Sequence, residues 1–340
     1  MASNTQGDPA TEGVPNRIRA AIIDGPGARP HVGTVELPAP APGYSVLRVV
    51  AAPVNPLDLL IASGTFHSAR YEQPYVPGSE CVGVVVQSGG HPVGTQVYAQ
   101  CQAAPDRPGS LATHLFVKDE EILALPPGVD AVFAAAVGNS GVAAYMPLVE
   151  NAGLRKGETV LILGATGVVG QLAVQIARNR GAGKVIGVGR DRSTLDRLLR
   201  LGADAVVGLR ADESADDLAA RLSKAAGPVD VVLDGLYGVP VQAALQSCAP
   251  HGRVVNIGNP AGSDLLLPAG LLRSKQLTLT GFAGLHISLA AKRDALTWLW
   301  RQVGDAAIEL AVRTSPLCDI AATWSVQQSS PHAKHVVIPG

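Results

Sequence analysis

The chain has 340 residues, a length that suits two domains, and 47% of the residues are hydrophobic while 16% are charged. These proportions disfavour disorder, and the formal net charge of −1 argues against a nucleic acid or an anionic membrane surface as the main partner. The four cysteines lie far apart and form no CxxC pair, so neither a zinc cluster nor a disulfide framework is indicated. A reducing, cytoplasmic compartment fits best, and no uncharged apolar run of about 18 residues predicts a membrane span.

The amino-terminal third is predicted to be β-rich. Residues 1–16 are polar and lack the pattern of a signal peptide, so we expect a disordered tail there. Short β-branched runs, cut at close intervals by glycine and proline, follow it and predict a compact barrel or sandwich. These runs cover residues 18–23, 44–54, 81–89 and 95–101.

From about residue 130 the pattern changes to apolar strands alternating with helices. Six strands and five helices at this spacing predict a doubly wound parallel sheet. The strands are predicted at 159–164, 184–189, 204–209, 229–235, 252–258 and 276–282, and the helices at 168–181, 192–202, 215–227, 239–250 and 268–275. An amphipathic helix at 288–305 and a closing strand at 335–340 are expected to pack back on the first domain. The predicted domains are therefore 17–129 with 286–340, and 130–285.

The stretch LILGATGVVGQ at 161–171 joins the first strand of this alternation to its first helix. Glycines let the backbone approach a pyrophosphate, whose charge is then stabilised by the N–H groups at the start of the helix. The first glycine of the GxGxxG pattern is Ala165 here, followed by Gly167 and Gly170, with Gly164 before it. The strand before and the helix after favour a dinucleotide site of the Rossmann type. A purely structural turn in another doubly wound fold is the alternative.

The end of the second strand bears on which dinucleotide is bound. An NAD site usually has an acidic residue there, whereas this strand ends in Gly189 followed by Arg190. A guanidinium grips phosphate through two hydrogen bonds, so this ending favours the 2′-phosphate of NADPH. The alternative is a solvated turn with Asp191 on the ribose.

Several stretches together resemble the medium-chain dehydrogenase/reductase superfamily, and most closely its zinc-independent quinone oxidoreductase branch. They are VNPLDLLIASG (54–64), PGSECVGVV (77–85), GSLATHLFVKDEEILALPPG (109–128), residues 139–170, GRVVNIG and LTLTGF. The resemblance covers about residues 17–340. It implies a β-rich GroES-like catalytic domain beside a six-stranded Rossmann domain, with NADPH as cofactor.

The resemblance also implies a set of site residues. Asn55 would lie by the nicotinamide and help to position it or a substrate carbonyl, where it could stabilise developing negative charge. The implied cofactor-binding residues are Asn55, Gly164, Ala165, Thr166, Gly167, Val168, Val169, Gly189, Arg190, Ile257, Gly258, Phe282 and Ala283. The implied substrate pocket is formed by Leu60, Phe66, Tyr75, Asn139 and Tyr145. Leu60, Phe66, Ala143 and Leu209 replace polar residues of better-known relatives, which leaves a more apolar pocket.

Zinc is not expected. The zinc-dependent members have a cysteine where Asn55 stands and a histidine where Ser79 stands, and neither asparagine nor serine is a usual zinc ligand. Without a Lewis acid, alcohol oxidation loses its main support.

The predicted function is therefore NADPH-dependent hydride transfer to a quinone or an activated C=C bond of a small molecule. An enoyl-thioester or specialised-metabolite reductase is one alternative, and a non-catalytic NADPH-binding protein is another. Strand 276–282 is expected at the edge of the sheet, and because unpaired apolar edges are a liability, we expect a homodimer through it.

Overall fold

A computed structural model of the chain describes residues 14–66, 69–101, 103–104 and 106–340. The chain divides into two compact units. The first unit comprises the described residues up to 136 together with 288–293 and 312–340, and the second comprises 137–287 and 294–311. Of the predicted tail, residues 1–13 lie outside the described residues.

The first unit is built on β-strands, which are numbered here in chain order. Across the part of the unit that the structure describes they are β1 (Arg17–Ile22), β2 (His31–Glu36), β3 (Tyr44–Pro53), β4 (Glu80–Gln87), β5 (Gln96–Gln100), β6 (His114–Lys118), β7 (Ile122–Ala124), β14 (Val312–Pro316) and β15 (Lys334–Ile338). Strands β1 and β2 form an antiparallel pair. The others form one sheet in the order β14-β15-β3-β4-β5-β7, with β6 paired to β3. This arrangement confirms the predicted β-rich domain.

The carboxyl-terminal strand β15 closes this sheet against β3. Val336 lies opposite Pro53 and Val337 opposite Ala52, in an antiparallel register. The N–H of Val54 donates to the carbonyl of His335 at 3.0 Å, so the pairing continues to the end of β3. The register brings the start of β15 beside the start of α1 (Pro56–Ala62), although the two are far apart in sequence. A second helix, α9 (Ile320–Gln328), buries Ile320 and Trp324 in the hydrophobic core of this unit.

The second unit contains the predicted parallel sheet. Its strands are β8 (Thr159–Leu163), β9 (Lys184–Gly189), β10 (Ala205–Gly208), β11 (Val229–Asp234), β12 (Cys248–Asn256) and β13 (Thr278–Gly281). They are hydrogen-bonded in the order β10-β9-β8-β11-β12-β13, and every pair is parallel. The connecting helices are α3 (Val168–Asn179), α4 (Arg192–Arg200), α5 (Ala215–Ala226), α6 (Gly238–Ser247) and α7 (Ala269–Lys275). All six strands and five helices expected from the alternation are confirmed.

Two helices place the boundary between the units differently from the prediction. Helix α2 (Ala131–Met146) continues into a π-helical stretch, Pro147–Asn151, and the second unit begins within α2 at residue 137 rather than at 130. Helix α8 (Leu289–Gly304) was expected to pack on the first domain, but residues 294–311 belong to the second unit. The physical reason is packing: Leu299 is fully buried, and its side chain occupies the space that a Cβ at Gly141 would need.

One helical stretch, Ala131–Asn151, is apolar and long enough to cross a membrane by composition. Its apolar window is 72% buried inside the protein, which is the pattern of a core helix.

Candidate functional site

A glycine turn joins β8 to α3. Gly164 has a φ of +82°, in the left-handed region that favours glycine. Its N–H and that of Ala165 both donate to the carbonyl of Val188, at 3.0 and 2.8 Å, which ties the turn to β9. The N–H of Gly167 donates to the carbonyl of Gly164 at 3.1 Å, and α3 begins at Val168. The predicted order of strand, turn and helix is therefore present.

Gly167 and Gly170 have different reasons to be glycine. A Cβ at Gly170 would lie 2.4 Å from the carbonyl oxygen of Gly164 and 2.5 Å from Cα of Ala165, so glycine at 170 is needed for α3 to pack on the turn. Gly167 has a φ of −72° and a ψ of 165°, which any residue adopts. Among the described residues, a Cβ there would meet the carbonyl oxygen of Gly164 at 3.5 Å and nothing nearer. The fold itself therefore does not require glycine at 167.

The open space beside Gly167 fits a dinucleotide pyrophosphate. The first N–H groups of an α-helix have no partner within the helix, and Gly167 has no side chain to cap them. These N–H groups and the helix dipole attract negative charge at the start of α3. The predicted cofactor residues Gly164–Val169 all lie in the turn or in the first turn of this helix. The residues present thus fit the group that was expected from the sequence.

The end of β9 lies directly against the glycine turn. A Cβ at Gly189 would come within 2.5 Å of Cγ2 of Thr166, so a small residue is needed there. Arg190, which follows, is exposed. Asp191 caps α4 instead, because its carboxylate accepts hydrogen bonds from the N–H of Thr194 and the hydroxyl of Ser193, both at 2.7 Å. Both bonds go to Oδ1 of the carboxylate that the alternative placed on a ribose.

A second arginine lies at the end of the neighbouring strand β10. The N–H of Leu209 donates to the carbonyl of Gly189 at 2.8 Å, so the chain after β10 runs beside the chain after β9. Arg210 is the next residue and is exposed. The guanidinium of Arg221 is engaged nearby with the carboxylate of Glu213 at 2.5 and 2.7 Å. Arg190 and Arg210 therefore end adjacent strands at the same edge of the sheet.

The remaining predicted cofactor residues follow the last two strands. The N–H of Ile257 donates to the carbonyl of Asp234 at 2.8 Å, and that of Phe282 donates to the carbonyl of Asn256 at 2.9 Å. Because the strands are parallel, the residues after each carboxyl end share one edge of the sheet with the glycine turn. Ile257, Gly258, Phe282 and Ala283 thus lie where Rossmann folds bind their ligands.

The first unit contains a buried polar network around the start of α1. The side-chain Nδ2 of Asn55 donates to Oε1 of Glu80 at 2.8 Å and to Oγ of Ser79 at 3.2 Å. Its Oδ1 accepts a hydrogen bond from Nζ of Lys334 at 2.5 Å. The backbone N–H of Asn55 donates to Oδ2 of Asp58 at 2.7 Å, which fixes the beginning of α1. All five side chains are buried.

Two carboxyl groups and one ammonium group set the charge of this network. Burial raises the pKa of Asp58 from 3.8 to about 7, with the nearby Glu80 adding to the effect and hydrogen bonds from Asn55 and Ser79 opposing it. Burial lowers the pKa of Lys334, and the carboxyls of Glu80 and Asp58 oppose that change. Nζ of Lys334 lies 3.9 Å from Oε1 of Glu80, whose other oxygen accepts a hydrogen bond from Tyr98 at 2.8 Å. The Lys334 ammonium is therefore paired with a carboxylate inside the unit.

The predicted pocket residues differ in their exposure. Leu60, on α1, is 44% exposed, and Phe66 and Asn139 are half-buried. Tyr75 is buried, and within the described residues its hydroxyl has no hydrogen-bond partner. That hydroxyl oxygen is itself inaccessible to solvent, and the place of Tyr75 in the substrate pocket stays a prediction.

Tyr145 lies away from the glycine turn. Its ring packs on Trp298 with centroids 5.1 Å apart, and the guanidinium of Arg180 lies 5.3 Å from its centre. Arg180 directly follows the end of α3, a 12-residue helix that spans about 18 Å from the turn. These contacts show Tyr145 packing against Trp298 and Arg180, and its place in the substrate pocket stays a prediction.

Comparison with known proteins gives the family. The alcohol dehydrogenase GroES-like domain matches residues 41–127, and the zinc-binding dehydrogenase domain matches residues 168–301. Quinone oxidoreductase of Sus scrofa is 30% identical over 244 residues, which cover 71% of this chain and 72% of the relative. The chain belongs to the medium-chain dehydrogenase/reductase superfamily. It is an oxidoreductase of that type and resembles the quinone oxidoreductases within it, as expected from its motifs.

Two further relatives extend over nearly the whole chain. A phenolphthiocerol/phthiocerol polyketide synthase polypeptide of Mycobacterium tuberculosis is 33% identical over 330 residues. This match covers 94% of the chain but 15% of the synthase, so the chain spans about a seventh of that relative's length. A probable oxidoreductase from Mycobacterium abscessus has the same fold, with a TM-score of 0.79, 28% identity, and coverage of 96% of this chain and all of that one.

The zinc site of some medium-chain dehydrogenases does not fit the residues of this member. Asn55 and Ser79, which stand at the two ligand positions, are hydrogen-bonded to each other, and the Lys334 ammonium lies against Asn55. A fixed cation and an amide do not form the nitrogen, sulfur and carboxylate set that zinc prefers. Within the described ranges, no group of three or more His, Cys, Asp or Glu is placed to hold a metal. That the protein works without zinc stays a prediction.

Lys334 and Arg210 were not predicted from the sequence. Lys334 lies 279 residues from Asn55, and the pattern around it, AKHVVIPG, indicates an ordinary closing strand. Arg210 follows the third strand of the medium-chain dehydrogenase sheet as Arg190 follows the second, and that repeated position was the available signal.

Proposed function

We propose that the chain is an NADPH-dependent reductase that transfers hydride to a quinone or to an activated C=C bond. The observation that carries the proposal is the glycine turn, where Gly167 leaves open space at the start of α3 for a pyrophosphate. The similarity to quinone oxidoreductase of Sus scrofa supports the acceptor class. A donor set unsuited to zinc also favours reduction over alcohol oxidation.

Each group of residues has a role in this proposal. The N–H groups at the start of α3 bind the pyrophosphate, and the guanidinium groups of Arg190 and Arg210 bind the 2′-phosphate. When bound, the nicotinamide supplies the hydride, which is chemistry of the cofactor. Asn55 and its partners orient groups on the substrate side. Solvent supplies the proton.

An enoyl-thioester reductase is a second candidate. The specific observation in its favour is the 33% identity to a polyketide synthase polypeptide across 94% of this chain. Enoyl thioesters and enones share an activated C=C bond, so the same hydride chemistry serves both substrates.

A small substrate panel tests the function. The purified protein is mixed with NADPH and with a naphthoquinone, an alkenal or an enoyl thioester, and the loss of NADPH absorbance is followed. Turnover of the quinone or the alkenal supports the proposal. Turnover of the thioester alone supports the second candidate, whereas NADPH binding without any turnover identifies a non-catalytic cofactor-binding protein.

The arginine after β9 should determine the preference for NADPH. We expect Arg190→Ala to weaken NADPH binding about 10-fold or more and to leave NADH binding unchanged, because a charge-assisted hydrogen bond contributes about 1.5–3 kcal/mol. Fluorescence titration with both cofactors measures the effect. Arg192→Ala is the control, since Arg192 is 79% exposed and pairs with Asp196 on α4. Equal NADPH affinity in the Arg190 variant and the wild type would contradict the assignment.

We also propose a homodimer that joins two copies through β13. This strand is exposed along its length, and Leu279 is 36% exposed at the edge of the sheet. We expect Leu279→Lys to raise the dimer dissociation constant about 100-fold or more, because a charge on an edge strand opposes pairing. Sedimentation velocity measures the change, with Leu199→Lys on the exposed side of α4 as control. A wild-type chain that is monomeric at micromolar concentration would refute the dimer.

A further inference from the structure

Lys334 is a buried lysine with a specific partner. It is 2% exposed, and lysine is almost never fully buried unless it is paired. Its ammonium donates to Oδ1 of Asn55 at 2.5 Å and lies 3.9 Å from Oε1 of Glu80. Removing a charge from water is costly, and these two contacts offset part of that cost for Lys334.

The ammonium determines which way the Asn55 carboxamide points. An ammonium group donates and never accepts, so the amide oxygen must face Lys334. The other end of the amide, its NH₂ group, points at Glu80, whose carboxylate oxygen accepts a hydrogen bond from Nδ2 at 2.8 Å. A flipped amide would place its NH₂ group against the ammonium and its oxygen against the carboxylate, and both contacts would be repulsive. The contacts at both ends of the Asn55 carboxamide therefore favour the same single orientation.

The same network fixes the backbone that carries Asn55. The N–H of Asn55 is held by Asp58, and β15 is held against β3 by the bond from Val54 to His335. Glu80 is fixed in turn by the hydroxyl of Tyr98. Lys334 thus acts on an amide whose other partners are already in place.

We propose that Lys334 is a positioning residue of the reductase, which holds the Asn55 carboxamide in the single orientation that the reaction uses. The proposal rests on the proposed function, because it assigns Asn55 to the substrate side of that reaction. Lys334 acts through Asn55, since its ammonium is buried and donates to the amide oxygen.

A second buried lysine provides a matched control. Lys292 is also 2% exposed, and its ammonium also donates to a carboxamide, Oε1 of Gln100, at 2.6 Å. Lys334→Met and Lys292→Met therefore each remove one buried ammonium and one hydrogen bond to an amide oxygen. Both should lower stability, and Lys334→Met alone should lower turnover.

The test is a double-mutant cycle in turnover. We expect Lys334→Met to lower kcat at least 10-fold in the wild-type background and less than 2-fold when Asn55→Ala is already present, because the effect passes through Asn55. Lys292→Met should change kcat less than 2-fold. Equal losses of kcat in the two methionine variants, or the same loss with and without Asn55→Ala, would overturn the proposal.

A readout without turnover separates this proposal from the proposed function. The side-chain amide signal of Asn55 in a nitrogen-15 NMR spectrum is assigned by its loss in Asn55→Ala. Glutamine at position 334 can either donate to or accept from the Asn55 amide. We therefore expect Lys334→Gln to shift the Asn55 signal and to speed its hydrogen exchange at least 10-fold. Lys292→Met should leave the signal in place. An unchanged Asn55 signal in Lys334→Gln would overturn the positioning role. A wild-type protein that turns over no substrate of the panel would refute the function and leave this measurement to decide the orientation.

Discussion

Replacing Gly170 by alanine is expected to lower the free energy of unfolding by about 1–3 kcal/mol, the usual cost of overpacking. The new Cβ would lie 2.4 Å from the carbonyl oxygen of Gly164 and 2.5 Å from Cα of Ala165. Both are backbone atoms, so no side chain can turn away, and either α3 or the turn must move. Because the first turn of α3 forms the proposed pyrophosphate site, NADPH affinity should fall together with stability. Urea unfolding and fluorescence titration measure the two effects.

The neighbouring glycine and a distant one serve as controls for this result. Gly167→Ala should leave the unfolding free energy nearly unchanged but weaken NADPH binding about 10-fold or more, because its Cβ would enter space that the described residues leave open apart from an ordinary contact with the carbonyl oxygen of Gly164. At Gly270, on α7, an added Cβ would meet no atom of the described residues within 4 Å, so Gly270→Ala should affect neither property adversely. If Gly167→Ala bound NADPH as tightly as the wild type, the site would not lie at this turn.

The second unit could be predicted because its central strands, β8, β9 and β11, are buried on both faces. Val160, Leu161 and Ile162 are fully buried, and such strands appear in the sequence as continuous apolar runs. The helices between them carry their apolar residues at a regular helical spacing. The hydrophobic period, the alternating order of strands and helices, and the glycine turn therefore all indicated a doubly wound parallel sheet.

Contacts between distant parts of the chain could not be predicted in this way. The pairing of β15 with β3 brings Lys334 to Asn55, and the short strand around Lys334 contains no local signal of its partner. The return of residues 294–311 to the second unit depends on Leu299 filling the space left by Gly141. Helix α8 itself was predicted, because its amphipathic pattern is local. The unit against which it packs depends instead on how its side chains fit those of distant residues, as Leu299 fits against Gly141.

The charge of Asp58 is expected to make stability depend on pH. Its pKa lies near 7 in the folded protein, against 3.8 when it is unperturbed, because burial disfavours the carboxylate. Between these values the folded state holds a proton that the unfolded state has lost, so the unfolding free energy falls as pH rises. The contribution is complete below about pH 3.8 and is lost as pH rises through about 7. A pKa change of this size corresponds to about 4 kcal/mol.

Replacing Asp58 by asparagine should remove this dependence. Asparagine resembles the protonated carboxyl, and its oxygen can still accept the hydrogen bond from the N–H of Asn55. The carboxyl of Glu80 and the ammonium of Lys334, which face Asp58, remain in both proteins, so the difference between them isolates Asp58. We expect Asp58→Asn to be more stable than the wild type at pH 8 and to lose this advantage towards pH 4, as measured by urea unfolding across that range. Asp196→Asn, which removes a carboxylate at the surface, controls for the change in net charge, and parallel stability curves for Asp58→Asn and the wild type would show that Asp58 does not titrate on folding.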